Sequence, residues 1–190
     1  MTEIGLAFVV VLLAGGVCGV LSFNRLVRLR VNLKMAWRTI DMLLRQRHDE
    51  LPELITACRQ HMKLEQGILQ QVTLARTGVA DAMQRGNLAE LSAAEAVLDR
   101  SLARLYTASE NYPDLRTSES FLLLHSRISA FELALNDRRE LYNATVATNN
   151  NTLQMFPVNL LAAWYSFKDA PLFQNEGNAN VAVDHDEVMA

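Results

Sequence analysis

Residues 4–23 form a run of twenty residues without a charged side chain, IGLAFVVVLLAGGVCGVLSF. A helix rises about 1.5 Å per residue, so a run of this length matches the hydrocarbon core of a bilayer, which is about 30 Å thick. A cleaved signal peptide would instead show a basic start, a shorter apolar run and a small-residue cleavage site. The charge before this run is acidic, Glu3, and the run continues to the arginines. We therefore expect an uncleaved transmembrane anchor over residues 1–23.

Basic residues flank the run on its C-terminal side. Arg25, Arg28, Arg30, Lys34 and Arg38 follow it, and no Lys or Arg precedes it. Because positive residues are retained on the cytoplasmic side of a membrane, we expect the N-terminus outside and the rest of the chain in the cytoplasm. Arginines at a membrane surface also attract anionic headgroups, so Arg25, Arg28 and Arg30 are candidate contacts with membrane lipid. They are also typical of the solvated face of a helix, and both interpretations can hold.

After the run, apolar residues recur at spacings of three and four, which is typical of amphipathic helices. Four such stripes cover residues 26–44, 51–79, 88–105 and 121–153. No glycine or proline separates the anchor from the first stripe, so the two are expected to form one helix. No segment alternates with the period of two that indicates a strand.

Breaks between the helices are predicted where the stripes are interrupted. The first pattern weakens at residues 46–50, and Pro52 then suits the first turn of a second helix. Residues 84–87 and the proline at position 113 mark the next two breaks. Short connections make neighbouring helices antiparallel. The expected fold is all-α, with a transmembrane helix that continues into a long antiparallel, up-down four-helix bundle over residues 24–156.

The end of the fourth helix should return to the membrane in such a bundle. The segment that follows, residues 157–173, contains Trp164, Tyr165 and Phe167, and aromatic residues favour headgroup depth. We expect either an interfacial, membrane-proximal segment or a pad that packs on the bundle's own core. Residues 174–190 carry four acidic residues and no Lys or Arg, so we expect a disordered acidic tail there.

Two polar residues interrupt the fourth apolar stripe, Arg138 and Asn149. A buried charge needs a partner because its desolvation is costly. The levels of an up-down bundle place Glu90 and Glu95 of the third helix within reach of Arg138. We expect a buried network that sets the helix register, a polar seam that binds a partner, or an arginine that extends to solvent.

Two turns are predicted at the bundle end far from the membrane. They contain His48, Asp49 and Glu53 in one turn and Tyr112, Pro113 and Asp114 in the other. Together they form a candidate partner surface, although Pro-Asp sequences also simply close tight turns.

Catalytic and cofactor motifs are absent from the sequence. The four histidines show neither an i, i+4 pair nor the HExxH pattern of a helical zinc site, and no glycine-rich phosphate loop occurs. Two cysteines exclude a disulfide framework, and Cys58 on an apolar stripe is typical of an inert buried thiol. A pI near 5.8 argues against a nucleic-acid partner. We expect no catalytic residue, no metal site and no cofactor.

Several motifs, in order along residues 23–174, resemble the LemA family. They are FNRLVRLR at 23–30, AW at 36–37, HDELPELI at 48–55, VTLAR at 72–76, ENYPDLR at 110–116, YN at 142–143 and FPVNL at 156–160. Phe23 stands where a tyrosine is usual, Leu51-Pro52-Glu53 replaces an Ile-Pro-Asn-like run, and Ser166 replaces a glycine. The resemblance implies a bacterial single-pass inner-membrane protein with a long helical domain and no established enzymatic activity. It also implies a neighbouring membrane-bound zinc metalloprotease of the HtpX type, or a link to magnetosome membranes.

The function expected from these features is that of a membrane-anchored scaffold or adaptor, not an enzyme. It would act by protein–protein contact, either as a homo-oligomer or by presenting its bundle to a membrane partner such as an HtpX-type protease. A membrane-shaping or lipid-surface-binding protein is one alternative. An enzyme or regulator with an unrecognised site is the other.

Overall fold

The fold is known from a computed structural model that describes residues 2–62 and 65–173, without the side chains of residues 2–4, 7–9, 11 and 14. The predicted acidic tail, residues 174–190, lies outside the described residues. Within the described ranges the chain is all-α, with six helices and no strand. The helices are α1 (Thr2–His61), α2 (Gln66–Arg85), α3 (Leu88–Ser109), α4 (Pro113–Arg116), α5 (Glu119–Gln154) and α6 (Val158–Trp164).

The predicted break at residues 46–50 is wrong, because α1 continues through it and through Pro52 to His61. The reason is that the buried stripe does not stop there. Leu44, Arg47 and Leu51 follow one another at three- and four-residue spacing, and all three are buried. Packing along this face keeps the segment helical although Pro52 removes one backbone donor.

The predicted break at residues 84–87 is confirmed. Gly86 ends α2 with a φ of 68°, a left-handed conformation that glycine adopts without steric cost. Its N–H donates to the carbonyls of Ala82 and Met83. Asn87 then caps α3, since its side-chain oxygen accepts from the N–H groups of Ala89 and Glu90. This short connection joins α2 to α3, which pack against each other.

The chain divides into two compact units, and α1 and α5 each contribute to both. The first unit comprises Met1–Thr39 and Arg138–Leu172. The second comprises Ile40–Asp137 and Phe173–Ala190. Within its described residues the second unit is a helical bundle whose core is aliphatic, with buried side chains that include Leu54, Val72, Leu98, Leu105 and Ile128.

The N-terminal part of α1 exposes large apolar side chains. Those described are Leu6, Val10, Leu12, Leu13, Val17, Val20 and Leu21, each more than half exposed. Part of the predicted anchor lies outside the described residues, since Met1 and several side chains of the run are not described. Among the described residues, no helix is both long and apolar enough to cross a membrane. The transmembrane anchor therefore stays a prediction.

Candidate membrane-facing surface and buried charge cluster

Helix α6 packs one of its faces against the core of the first unit. That core consists of Leu26, Leu153, Val158 and Ala162, all buried. Val158 and Ala162 lie four residues apart and therefore on the same face of α6. Phe167, just beyond the helix, packs against the same cluster and is partly buried.

The other face of α6 is apolar and exposed. Leu160 and Trp164 lie four residues apart on it and are 62% and 85% exposed. Phe156, four residues before Leu160, is 78% exposed. We call Phe156, Leu160 and Trp164 the α6 stripe. Several exposed large apolar side chains on one short segment are typical of a surface that meets a protein partner or a membrane.

Basic and aromatic residues of α1 lie beside the segment that contains α6. The guanidinium of Arg30 lies over the ring of Phe167, 5.6 Å from its centroid, in a cation–π contact. The rings of Phe23 and Tyr165 lie 5.0 Å apart. The residues predicted to meet the membrane surface all belong to the first unit: Arg25, Arg28, Arg30, Trp164, Tyr165 and Phe167. All of them except Phe167 are exposed.

Ser166 turns the chain out of α6 with a φ of 53°. In this conformation the N–H of Phe167 reaches the carbonyl of Ala162 at 3.0 Å, and the N–H of Tyr165 donates to Leu161 at 2.9 Å. Both bonds satisfy carbonyls at the end of the helix. The left-handed region costs a residue with a side chain about 1–2 kcal/mol, so the position favours glycine.

Polar side chains on α5 hold the C-terminal segment of the first unit, a role that was not predicted. The Asn150 amide donates to the carbonyl of Ala170 and accepts from its N–H, both at 3.0 Å. The Tyr142 hydroxyl donates to the carbonyl of Pro171 at 3.1 Å. Asn149 is buried, as expected, and donates to Asn150 at 3.1 Å. The polar half of the fourth stripe therefore serves an intrachain contact.

A charge cluster lies in the second unit, around the buried Arg47 and Glu95. The Arg47 side chain is 2% exposed, and its Nη1 donates to Glu95 at 2.9 Å, which is also 2% exposed. Its Nη2 donates to Asp99 and, at 3.0 Å, to Glu132. The cluster thus joins α1 to α3 and α5. We call Arg47, Glu95, Asp99 and Glu132 the Arg47 cluster.

The charges of the Arg47 cluster change its pKa values in a defined way. Burial by itself would lower the pKa of Arg47, but the three carboxylates outweigh burial and raise it. Burial raises the pKa of Glu132, the charge of Arg47 opposes this, and the charge of Asp99 adds to it. Burial, followed by the nearby charge of Asp99, therefore holds the pKa of Glu132 above its ordinary value in spite of Arg47.

A second polar contact in this unit joins α1 to α2 at His48. Pro52 has no N–H, so the carbonyl of His48, four residues earlier, has no helical donor. The Nε of Arg76 donates to this carbonyl at 3.1 Å, and its Nη2 lies 3.3 Å from His48 Nδ1. Burial and the charge of Arg76 lower the pKa of His48, and the neighbouring Asp49 opposes this shift. Two of the sequence motifs, HDELP and VTLAR, therefore meet at this point.

Of the three arrangements expected for Arg138, the one that extends to solvent is found, and the buried network with Glu90 and Glu95 is not. Arg138 is exposed, and the buried arginine is the next residue, Arg139, which is 6% exposed. Consecutive residues on a helix differ by about 100° in direction, so one position decides which side chain is buried. Glu95 pairs with Arg47 instead. Glu90 is exposed in the first turn of α3, where it accepts from Arg85 at the end of α2 and from Asn87.

The candidate partner surface is also placed differently from the prediction. His48, Asp49 and Glu53 lie within α1 and not in a turn. Glu53 lines an open groove between α1 and the start of α5, together with Ser118 and Leu124. The other three residues lie at the start of α4: Tyr112 precedes it, Pro113 is its first residue and Asp114 is exposed in its first turn. A role for these residues in binding a partner stays a prediction.

The described part of the chain offers neither a cluster of metal ligands nor a reactive Cys58 thiol. No group of three or more His, Cys, Asp and Glu side chains there could hold a metal ion. Cys58 is buried, and burial raises the pKa of its thiol to about 12. A thiol with so high a pKa is largely unreactive at neutral pH. The expected absence of enzymatic activity stays a prediction.

Comparison with known proteins relates the chain to one family. The model of the LemA family matches residues 36–185. Among curated proteins the chain is similar to the magnetosome proteins MamQ 1 and MamQ 2 of Paramagnetospirillum magneticum. Each is 22% identical to it over 179 residues, which covers 82% of this chain and 66% of the relative. The chain therefore spans just under two thirds of the length of these relatives.

Proposed function

The chain belongs to the LemA family, and from this premise we propose that it is a membrane-anchored helical scaffold that acts by protein–protein contact. Residues 4–23 cross the bacterial inner membrane once, with the N-terminus outside and the helical bundle in the cytoplasm. The positive flank of the run sets this orientation. The bundle works as a binding surface and carries out no reaction of its own.

One observation carries the proposal: apolar, basic and aromatic residues suited to a membrane surface collect in the first unit. The apolar part of α1 leads directly into exposed Arg25 and Arg28. Arg30 lies against Phe167 at the end of the α6 segment, and Trp164 is 85% exposed. Apolar side chains, arginines for anionic headgroups and an exposed tryptophan are the three parts of an interfacial anchor.

The mechanism is tethering. An anchored bundle shares a thin layer of volume with other membrane proteins, which raises its effective concentration near them without any new contact. The Arg47 cluster ties three helices together and so gives the second unit a defined surface. The partner is a second copy of the chain or a membrane protein such as a protease, which is the partner implied by the family resemblance.

The anchor is tested by placing charges in the apolar run. Leu13→Arg/Val17→Arg puts two charges into the run, and each charge near the bilayer centre costs about 2.5–3.5 kcal/mol on insertion scales. We expect the wild-type chain to stay in the membrane pellet after carbonate extraction and the variant to be released. Leu133→Arg, at a position 68% exposed in the second unit, is the matched control and should stay in the pellet. Release of the wild-type chain would refute the anchor.

The α6 stripe is tested by tryptophan fluorescence of the full chain in vesicles that contain brominated lipids. Bromine quenches a tryptophan that lies among the acyl chains. We expect strong quenching in the wild-type chain and weak quenching in Trp164→Phe, which retains the half-buried Trp37. Equal quenching of the two proteins would show that Trp164 does not meet the bilayer.

The partner is tested by photo-crosslinking in cells, with the reactive group placed at Asp114 or at Trp164. Both side chains are exposed, so the group should not disturb the fold. Crosslinks to a second protein, identified by mass spectrometry, would support an adaptor. Crosslinks only between copies of the chain would support a self-assembling scaffold, and no crosslink from either position would refute both.

Membrane shaping is a second candidate, favoured by the exposed α6 stripe next to the arginines of α1. A row of apolar side chains that enters one leaflet widens that leaflet and favours curvature. The full chain, reconstituted into anionic vesicles, would then draw them into tubules visible by electron microscopy. Arg25→Glu/Arg28→Glu should abolish the tubules, and vesicles that stay spherical with the wild-type chain would exclude this candidate.

A further inference from the structure

The exposed side of α1 carries a regular row of residues in the first unit. We call this row the α1 stripe; its members are Leu6, Val10, Leu13, Val17, Val20, Asn24, Val27 and Val31. The intervals between them alternate strictly between four and three residues. The seven apolar members are between 39% and 67% exposed, and Asn24 is exposed as well.

This alternation indicates a helical partner. Spacing of four and three gives a period of 3.5, whereas a straight helix has 3.6 residues per turn. A row with the shorter period stays on one side of a helix only when two helices supercoil around each other. In heptad notation, Val10, Val17, Asn24 and Val31 occupy position a. Valine at position a, combined with leucine at the d positions Leu6 and Leu13, is typical of two parallel strands.

Asn24 identifies the partner as a second copy of this chain. It is the one polar residue of the α1 stripe, at an a position between Val20 and Val27. In a parallel pair of identical helices, equivalent a residues face each other, so the two Asn24 amides can donate to and accept from one another. A single asparagine at an a position specifies register and the two-stranded state. An unrelated apolar helix, or lipid tails alone, would offer no such self-complementary amide pair.

The fold leaves the α1 stripe available for such a pair. Ser22 and Leu26, at the heptad positions opposite the a and d residues, are buried within the first unit. The flanking charges do not oppose pairing. In a parallel pair, Phe23 of one helix lies next to Arg28 of the other, and Arg30 lies next to Met35, so no two like charges meet.

We propose that α1 pairs with α1 of a second copy along the α1 stripe, in parallel and in register. The inference rests on the proposed membrane anchoring, because insertion in one direction holds both copies parallel. It names the surface through which the scaffold self-associates. The pair continues from the apolar run into the segment that follows it, where Val27 and Val31 form the last two layers.

Disulfide crosslinking of the full chain in native membranes tests the interface. The background variant is Cys18→Ser, since Cys18 is exposed and Cys58 is buried. Single cysteines then replace Val27 and Val31, at positions d and a, and Asn32, at position b, serves as the control. Asn32 is exposed and adjacent to Val31, so a cysteine there lies at nearly the same height along the helix. Its side chain points about 100° away around the helix axis, out of the α1 stripe.

We expect covalent dimers from Val27→Cys and Val31→Cys under mild oxidation, at least fivefold more than from Asn32→Cys. Two differently tagged copies show whether the product joins two copies of the chain. Equal yields at all three positions, no dimer at any of them, or a product with a different protein would each overturn the proposal. The membrane fraction is assayed first on the same samples. A chain absent from it refutes the anchoring, whereas an anchored chain without dimers refutes only the pairing.

A second variant tests the role of Asn24. Asn24→Asp places two carboxylates in contact in the middle of the interface, whereas Asn24→Gln keeps an amide. Loss of an interhelical amide pair weakens association by about three- to thirtyfold. We expect the Val31→Cys dimer to fall by this factor in Asn24→Asp and to be largely retained in Asn24→Gln. Unchanged yield in Asn24→Asp would show that Asn24 does not lie in the interface.

Discussion

Replacement of Arg47 by methionine tests most directly how the second unit is held together. Methionine keeps much of the side-chain volume but removes the guanidinium, so Glu95, at 2% exposure, loses its compensating charge. Removing one partner of a buried ion pair typically costs about 3–5 kcal/mol. Asp99 and Glu132 are 44% and 34% exposed and can turn to water, so their pairs add little.

We therefore expect Arg47→Met to lower the free energy of unfolding by about 3–5 kcal/mol, out of the ~5–15 kcal/mol typical of a domain. The assay is guanidinium unfolding of the full chain in detergent, followed by far-UV circular dichroism. The denaturant slope should match that of the wild-type protein if the same surface is exposed. Arg45→Met is the matched control. Arg45 lies on the same helix, pairs with Asp41 and is 67% exposed, so no measurable change is expected.

The double variant Arg47→Met/Glu95→Leu separates charge compensation from packing. It removes both buried charges, and apolar replacement of a whole buried ion pair is often neutral or stabilising. The double variant should therefore be more stable than Arg47→Met alone and within about 2 kcal/mol of the wild-type protein. The single variant Glu95→Leu is measured beside it. A double variant whose loss of unfolding free energy equals the sum of the losses in Arg47→Met and Glu95→Leu would refute the reasoning. So would an Arg47→Met variant as stable as Arg45→Met.

Four further outcomes are expected. Because the pKa of Glu132 in the folded protein is raised above its ordinary value of 4.5, the native state keeps this proton to a higher pH than the unfolded chain does. The free energy of unfolding should therefore fall as the pH rises from about 4.5 through the pKa of the folded state. Glu132→Gln should remove that fall in unfolding free energies measured across pH. Arg76→Met leaves the His48 carbonyl without its donor and should cost about 1–3 kcal/mol, and NMR titration should show a higher pKa of His48. Ser166→Gly should stabilise the protein by about 0.5–1 kcal/mol in thermal unfolding, since relief of the left-handed cost is partly offset by the entropy of glycine. The Cys58 thiol should resist alkylation at neutral pH, measured by mass spectrometry, until the protein unfolds.

Each of these outcomes has a result that contradicts it. An unchanged pH dependence in Glu132→Gln would assign the raised pKa to another group. A stable Arg76→Met variant would mean that water replaces the lost donor. A destabilised Ser166→Gly variant would show that its side chain has a role beyond the backbone. Rapid alkylation of Cys58 in the native protein would contradict its burial.

The two faces of α6 answer a question that the sequence left with two alternatives. The segment over residues 157–173 was expected either to meet the membrane or to pack on the bundle. Val158 and Ala162 pack inward, whereas Leu160 and Trp164 are exposed. Packing on a core is therefore found for one face of the segment, and membrane contact of the other face stays a prediction. A helix this short can cover a core and expose an apolar row, because its side chains point around the axis.

Much of the architecture was determined by the sequence alone. Spacing of three and four predicted helices throughout, and Gly86 with Asn87 predicted the break between α2 and α3. These are local properties: a helix needs only a compatible period, and a break needs only residues that favour a turn or a cap. Family membership could also be read from short motifs, because they keep their order along the chain.

The partners of the charged residues were decided by the tertiary structure. Arg47 lies at a stripe position, three residues after Leu44 and four before Leu51, and this spacing was a usable signal of burial. Its partners lie 48, 52 and 85 residues away in sequence, on two other helices. Helix period fixes direction around one axis, whereas the pairing of side chains depends on the rotation and height of each helix against its neighbours. A shift of one residue turns a side chain by about 100°, so a spacing that allowed a buried Arg138 could not show that the buried arginine is Arg139.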